Sequence, residues 1–306
     1  MTRVRPARLR PGSKVALVAP AGPVKEPPLR RGIGILESWG LTVEVGEHVL
    51  DRHPRLPYLA GLDPRRAADL QRAWCDPTVD AVVCARGGYG AMRMVDLLDW
   101  DAMAEAGPKL FTGSSDITTL HEAIGSRLNL VTLFAPLVAA DVTFDVGAQK
   151  HFRQTLFEPE SVLTLTGPLA TSLNDGVASG MLVGGNLSLL ASGVGAPDAF
   201  VPPDESIVLL EDVNEDPYKV DRMLTQLLRS GWFTGVTGVA LGSWTGCGTL
   251  DEVRDVVADL LVGLGIPVIW ELGFGHCSDQ LTIPLGAHAT LDADQGTLTL
   301  GEPPLR

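Results

Sequence analysis

Apolar positions along the first 140 residues fall alternately into short unbroken runs and into spaced, helix-like repeats. "KVALVAP" is an apolar run too short for a helix and closed by Pro20, which predicts a buried strand. A helical pattern around Leu29 to Trp39 follows, then the strand-like "LTVEV", then a helix opened by Asp63 and Pro64 that runs through Trp74. "DAVVCA" then leads directly into the glycine-rich "RGGYG". Such alternation predicts a parallel sheet with helices on both faces, and ligands of such sheets sit at the carboxyl ends of the strands.

After Pro136 the pattern loosens, and one short helix mixed with polar turns reads as a connection. Periodicity returns with "GMLVGGNLSLLASG" and with "SIVLLED", a continuous apolar strand ending on two carboxylates. Asp216 and Pro217 start a helix in which Val220, Met223, Leu224, Leu227 and Leu228 recur at helical spacing until Gly231. The strand "GVALGS", a helix from Leu250 to Leu264 and "PVIWELGFGHCSD" follow; the tail "LTIPLGAHATLDADQGTLTL" alternates around Asp294-Gln295-Gly296, a predicted hairpin. The class is therefore α/β. An amino-terminal parallel α/β domain spans 1–140, a connection 141–175, and a strand-rich carboxy-terminal α/β domain 176–306.

Composition narrows the function. The 306 residues, 45% hydrophobic and 20% charged, suffice for one large core or two medium ones. The net charge of −13, with no long basic run after the first ten residues, argues against a nucleic-acid partner. The basic start precedes only a short apolar run, Val15 to Ala19, before Pro20; a secretory core needs more, so a cytoplasmic location is expected. The uncharged segment Gly176 to Pro197 is long enough to cross a bilayer, but its six glycines, three serines and Asn186 read as packing around a site, with no membrane partner. Cys75, Cys84, Cys247 and Cys277 stand too far apart for a zinc or disulfide framework, and no metal or cofactor is expected.

Chemistry enters at "KLFTGSSDITTLHEA". A serine between a strand and a helix can sit on a sharp turn with its hydroxyl exposed, yet Ser and Asp also favour any helix start, and Thr119 with Glu122 could form a capping box there. A serine nucleophile needs a histidine base and a carboxylate to orient it. Among six histidines, His53 and His151 lie in polar turns, His48 and His288 in or beside strands, and His121 on the helix after the serines; His276 stands at a strand end among glycines. Glu211 ends "SIVLLED" and would reach the sheet's carboxyl edge, Asp212 should face the other way by strand alternation, and Glu215 competes. "RGGYGAMR" has Arg93 where a dinucleotide fingerprint needs its third glycine, so Gly87, Gly88 and Gly90 instead suit close backbone approach to a ligand oxygen. A thiol enzyme using Cys84 is the weaker reading, since that residue lies in an apolar run without a base.

Together "VALVAPAGPV", "ARGGYGAMRMVDLLDW", "GSSDITTL", "GGNLSLL", "LLEDVNEDPYKVDRMLTQL" and "GFGHCSDQLTIPLGAHATL" resemble, in order and across nearly the whole chain, the LD-carboxypeptidase family of serine peptidases, which includes murein tetrapeptide carboxypeptidases and microcin C immunity proteins. The resemblance implies a Ser115, His276 and Glu211 triad spanning an interface between an amino-terminal Rossmann-like or flavodoxin-like domain and a carboxy-terminal domain. The serine would attack the amide before a terminal D-alanine of a muropeptide, the backbone NH groups of Asp116 and Gly88 would hold the oxyanion, and an acyl-enzyme would follow. Arg86, beside the glycine loop, is the candidate for the substrate carboxylate. Ser114 stands where the family often has an aromatic residue, a change expected to alter the pocket. The resemblance further implies a homodimer working in peptidoglycan recycling. A peptide-nucleotide amidase of the immunity type is the alternative, though those relatives tend to be longer; a non-catalytic muropeptide-binding module is the alternative of another class.

Overall fold

The computed structural model describes residues 3–140, 144–196 and 199–306. The first residues of the amino-terminal domain, the start of the connection read at 141–175 and the end of the uncharged segment read to Pro197 lie outside the described residues.

The first sheet is built from β1 (Lys14–Val18), β2 (Thr42–Val45), β3 (Ala81–Cys84), β4 (Leu110–Gly113) and β5 (Thr132–Phe134), all parallel in the order 2-1-3-4-5. That is the flavodoxin-like order. Helices α1 (Glu26–Ser38), α2 (Asp63–Cys75), α3 (Ala91–Met94), α4 (Trp100–Glu105) and α5 (Thr118–Leu128) connect its strands. Alternate residues of the central strands enter different cores: Val15, Leu17 and Val83 pack on one face, Ala16, Val18 and Val82 on the other. Burial on both faces is why these strands appear in the sequence as unbroken apolar runs.

The remaining elements are α6 (Val146–Phe157), β6 (Thr164–Leu165), β7 (Thr171–Asn174), β8 (Val177–Asn186), α7 (Leu187–Gly193), β9 (Ser206–Glu211), α8 (Pro217–Arg229), β10 (Val236–Leu241), α9 (Leu250–Leu261), β11 (Val268–Trp270), β12 (Ile283–Leu285), β13 (His288–Asp292) and β14 (Thr297–Leu300). Eight strands form the second sheet in the order 6-14-13-8-9-10-11-7, with β8 to β11 parallel at its centre. The tail hairpin forms as β13 and β14, with Asp292 opposite Thr297.

Two features differ from the sequence pattern. Within the segment read as a connection, α6 sends Phe152 and Leu156 into the first core while β6 and β7 join the second sheet. Two to four residues suffice for such edge strands, too few for a periodic signal. Strand β12 leaves the carboxy-terminal half and pairs antiparallel with β5, so it extends the first sheet. The two halves therefore share a core, in which Phe134 of β5 meets Phe274 edge-on at a centroid distance of 6.0 Å beside Leu182, Ile207 and Leu209. Among the described residues no helix is long and apolar enough to cross a membrane.

Candidate active site

Ser115 lies at the carboxyl end of β4. Ser114 is extended, Ser115 adopts φ 62°, and a short 3-10 turn over Ser115–Ile117 leads into α5. A left-handed serine between strand and helix is a strained turn that pushes the hydroxyl outward, the geometry of a nucleophile elbow. The space above it exists because residue 87 is glycine: a Cβ there would stand 2.9 Å from Ser115 Cβ and 3.1 Å from its Oγ. Gly87 also accepts a hydrogen bond from Gly22 N at 2.8 Å, so the loops after β1, β3 and β4 meet at one edge.

Asp116 is fully buried, and its carboxylate accepts a 2.7 Å hydrogen bond from Ala91 N at the start of α3. Burial pushes this carboxyl up to about 6. The Thr119–Glu122 capping box is not formed: α5 already starts at Thr118 with Ile117 at its cap, so Thr119 lies inside the first turn, and the Thr118 hydroxyl donates to the Ser115 carbonyl at 2.8 Å.

His276 lies in the loop after β11, and its Nδ1 is 2.7 Å from Glu211 Oε2. The same carboxylate oxygen accepts from His276 N at 3.3 Å, and the His276 carbonyl accepts from Thr245 Oγ1 at 2.6 Å. Gly275, at φ 94°, permits this approach, since a Cβ there would come within 2.4 Å of Glu211 Oε2. Burial works against the imidazolium, but the charge and hydrogen bond of Glu211, with Asp212 behind it, raise His276 above its ordinary value.

Glu211 is completely buried at the carboxyl end of β9, and its other oxygen accepts from Asn186 Nδ2 at 3.1 Å. Asp212 does not face away from it. The strand ends at Glu211, so alternation no longer governs the next residue, and Asp212 accepts from the same Asn186 amide at 3.0 Å. Burial first, then Glu211, pushes Asp212 up to about 6.

Ser115, His276, Gly87, Gly88 and Arg86 line one cavity of about 490 Å³, together with Lys25. Arg86 donates to the Pro23 carbonyl through Nη1, and Lys25 and Arg86 bring positive charge to this cavity of an otherwise acidic protein. The alternatives raised by the sequence are engaged elsewhere. The His121 ring is buried between Thr132 Oγ1 and the Gly113 carbonyl, and burial lowers it to about 4. His151 accepts from Thr282 N at 3.0 Å and is likewise lowered to about 4. Glu215 pairs with Lys219 at 3.5 Å, and the buried Cys84 thiol is pushed well above its ordinary value. Lys25 and Thr118 carry no chemical signal in the sequence, and Asn186 is marked there only as part of the glycine-rich segment that reads as packing around a site.

The arrangement offers a hydroxyl on a strained turn and an imidazole oriented by a buried carboxylate, facing one cavity between two sheets. Fold and site define a hydrolase of the serine carboxypeptidase class, built on two α/β sheets. The chain belongs to the LD-carboxypeptidase family: residues 15–135 match its N-terminal domain and residues 179–291 its C-terminal domain. A Streptomyces coelicolor protein with a provisional carboxypeptidase name is 56% identical over 303 residues, covering 99% of this chain and 97% of that one. The murein tetrapeptide carboxypeptidase of Pseudomonas aeruginosa is 30% identical over 92% of this chain and 94% of its own. Among solved structures, the muramoyltetrapeptide carboxypeptidase of Oxalobacter formigenes superposes with a TM-score of 0.80 at 32% identity, covering 95% of this chain and 99% of that one. The wild-type apo microcin C7 self immunity protein MccF shares the fold, with a TM-score of 0.86 at 22% identity over 99% of this chain and 100% of that one.

Proposed function

We propose that this protein is a serine LD-carboxypeptidase that removes the terminal D-alanine of murein tetrapeptides. The observation that carries the reading is that Ser115 and His276 face one cavity while the far ring nitrogen of His276 lies 2.7 Å from the buried Glu211. The Pseudomonas and Oxalobacter relatives, both named for tetrapeptide substrates, support the choice of peptide.

In this mechanism Ser115 Oγ attacks the amide carbonyl and His276 takes its proton, while Glu211 holds the ring tautomer and supports the imidazolium. The backbone NH groups of Asp116 and Gly88 receive the tetrahedral oxyanion. His276 then protonates the leaving amine, D-alanine departs, and water activated by the same histidine releases the acyl-enzyme. Arg86 meets the terminal carboxylate. A homodimer acting in the cytoplasm on recycled wall fragments is the accompanying expectation, which light scattering and cell fractionation test.

The decisive experiment is mass spectrometry of the purified protein with a tetrapeptide ending in D-alanine, beside a pentapeptide and the Ser115→Ala variant. Loss of one D-alanine from the tetrapeptide by the wild type alone supports the reading. If neither peptide is cut while Ser115 reacts with a fluorophosphonate, the substrate assignment fails and aminoacyl-nucleotide amides become the substrates to test.

A further inference from the structure

We infer that Asn186 is a positioning residue for catalysis, one that sets Glu211 against His276 and, through Thr118, ties that pair to the Ser115 turn; this rests on the triad reading above. Asn186 is the last residue of β8, and the parallel register with β9 places it directly opposite Glu211. It is 2% exposed. Its Oδ1 accepts from the Ser188 hydroxyl at 2.6 Å and caps α7 by accepting from Leu189 N at 3.4 Å. That fixes which way the amide points, so Nδ2 must face the carboxylates, donating to Glu211 Oε1 at 3.1 Å and Asp212 Oδ1 at 3.0 Å. With Oε1 held in this way, Oε2 is the oxygen left for His276.

The backbone of the same residue reaches the other half of the molecule. Asn186 N donates to Thr118 Oγ1 at 3.0 Å, and Thr118 Oγ1 donates to the Ser115 carbonyl at 2.8 Å. Gly185 makes the contact possible, because a Cβ at its φ of 146° would lie 2.6 Å from Thr118 Oγ1. One asparagine thus touches the acid with its side chain and, one hydroxyl removed, the nucleophile's own peptide group with its backbone. Ser115 and the His276–Glu211 pair come from different sheets, so their relative placement needs such a fixed link, and displacements of about 1 Å can cost about 10²-fold in rate.

The amide also sets the proton affinity of the pair. Besides His276, the titratable groups facing Glu211 are Asp212 and the thiols of Cys247 and Cys277, both pushed up to about 11 chiefly by burial. Asn186 is the donor that Glu211 and Asp212 share, so its removal leaves two buried carboxylates less stabilised as anions. The His276–Glu211 pair then binds its proton more tightly, and its apparent pKa rises.

The test measures the rate of Ser115 labelling by a fluorophosphonate as a function of pH, which needs no knowledge of the natural substrate. Thr118→Val should label about 10²-fold more slowly with its acid limb unmoved, because Thr118 touches neither carboxylate, and Thr118→Ser should recover the wild-type rate. Asn186→Ala should be slow and have its acid limb shifted to higher pH. Wild-type rates and an unmoved limb in both variants, whatever happens to their melting temperatures, would overturn the inference. If Asn186→Ala does not fold, Thr118→Val decides alone, and a wild-type labelling rate overturns the coupling. A wild type that is not labelled at all overturns the triad reading first, whereas labelling without peptide cleavage removes only the substrate.

Discussion

His276 Nδ1 and Glu211 Oε2 lie 2.7 Å apart, across 65 residues of sequence, with the carboxylate completely buried and the imidazole at the cavity wall. A buried carboxylate in this position makes the histidine more basic than burial alone would allow, and the net shift is upward. The base must be neutral to accept the Ser115 proton. Activity should therefore rise with pH through an apparent pKa above the ordinary 6.5 of histidine, and kcat/KM should fall steeply in acid. Glu211→Gln keeps the shape but removes the charge, leaving burial opposed only by the weaker pull of Asp212. It should lower kcat by about 10⁴-fold and move the remaining acid limb to lower pH. A Glu211→Gln variant with an unmoved limb would show that this carboxylate does not govern His276.

The room for the nucleophile is a property of one missing Cβ. Gly87→Ala places a methyl group 3.1 Å from Ser115 Oγ and 2.9 Å from its Cβ, where the substrate carbonyl must approach. The backbone at Gly87 is not left-handed, but the 2.9 Å approach to Ser115 Cβ and the 3.3 Å approach to the Ser114 carbonyl force the loop or the serine turn to shift. We expect a folded protein with a lowered melting temperature and kcat/KM reduced about 10²-fold or more, by analogy with small displacements in other sites. Circular dichroism and steady-state kinetics on the same preparation test this; wild-type kinetics would mean that the loop moves away from the serine on binding.

How much of this was legible in the chain depended on whether a residue's role is local. Val15 to Val18 and Ala81 to Cys84 announce a doubly covered sheet because both faces of each strand are buried. Glu211 and His276 stand out because a strand end and a glycine-rich loop are visible in the immediate sequence, and the family resemblance joined them to Ser115. Asn186 could not be read in this way: its meaning comes from the β8–β9 register, which sets it opposite Glu211. Asp212 was placed on the wrong side because the chain leaves the strand one residue earlier than the alternation assumed. Lys25 carries no chemical signal in its neighbours, and it reaches the cavity rim through folding of a segment whose Pro23 and Val24 carbonyls accept from Arg86 and Arg52.

Stability should respond to pH through a group outside the proposed chemistry. Glu271 adopts φ 56° just after β11, its Oε1 is buried without a partner among the described residues, and burial pushes its carboxyl up to about 7. A folded-state pKa raised above the unfolded one favours the neutral acid, so this group's contribution is fully present below about 4.5 and is lost as pH rises through about 7. Glu271→Gln should therefore gain on the wild type between pH 5 and pH 8.5, by about 2 kcal/mol. Denaturant unfolding of both proteins at the two pH values reads the difference; parallel behaviour would show that Glu271 is solvated in the native state.

Nucleophile, base and orienting acid in the proposed mechanism are all side chains, so the rate-determining chemistry asks nothing of a metal ion. Prolonged dialysis against EDTA should leave kcat and KM unchanged. Loss of activity restored by a divalent cation would contradict a purely side-chain mechanism and redirect attention to how water is activated.

The last prediction concerns the free carboxylate that distinguishes a carboxypeptidase substrate from an internal peptide. Arg86 and Lys25 line the cavity with Ser115, and among the described residues no aspartate or glutamate lines it. Glu26, next to Lys25, is engaged by Arg30 at 3.0 Å. Arg86 adjoins the Gly87-Gly88 loop in sequence, and one of its five donors is already spent on the Pro23 carbonyl. A charge-assisted contact is worth about 1.5–3 kcal/mol, so Arg86→Ala should raise KM roughly 10- to 100-fold with little change in kcat. Arg86→Lys, which keeps the charge but not the fork, should recover part of the loss. The C-terminally amidated tetrapeptide separates recognition from packing: it should be a poor substrate for the wild type and no poorer for Arg86→Ala, because the interaction is already absent. If Arg86→Ala keeps its KM and Lys25→Ala raises it, the carboxylate lies at the rim and the peptide enters with its terminus towards α1; if neither variant changes KM, backbone NH groups of the glycine loop hold the carboxylate and the two cations only attract it from a distance.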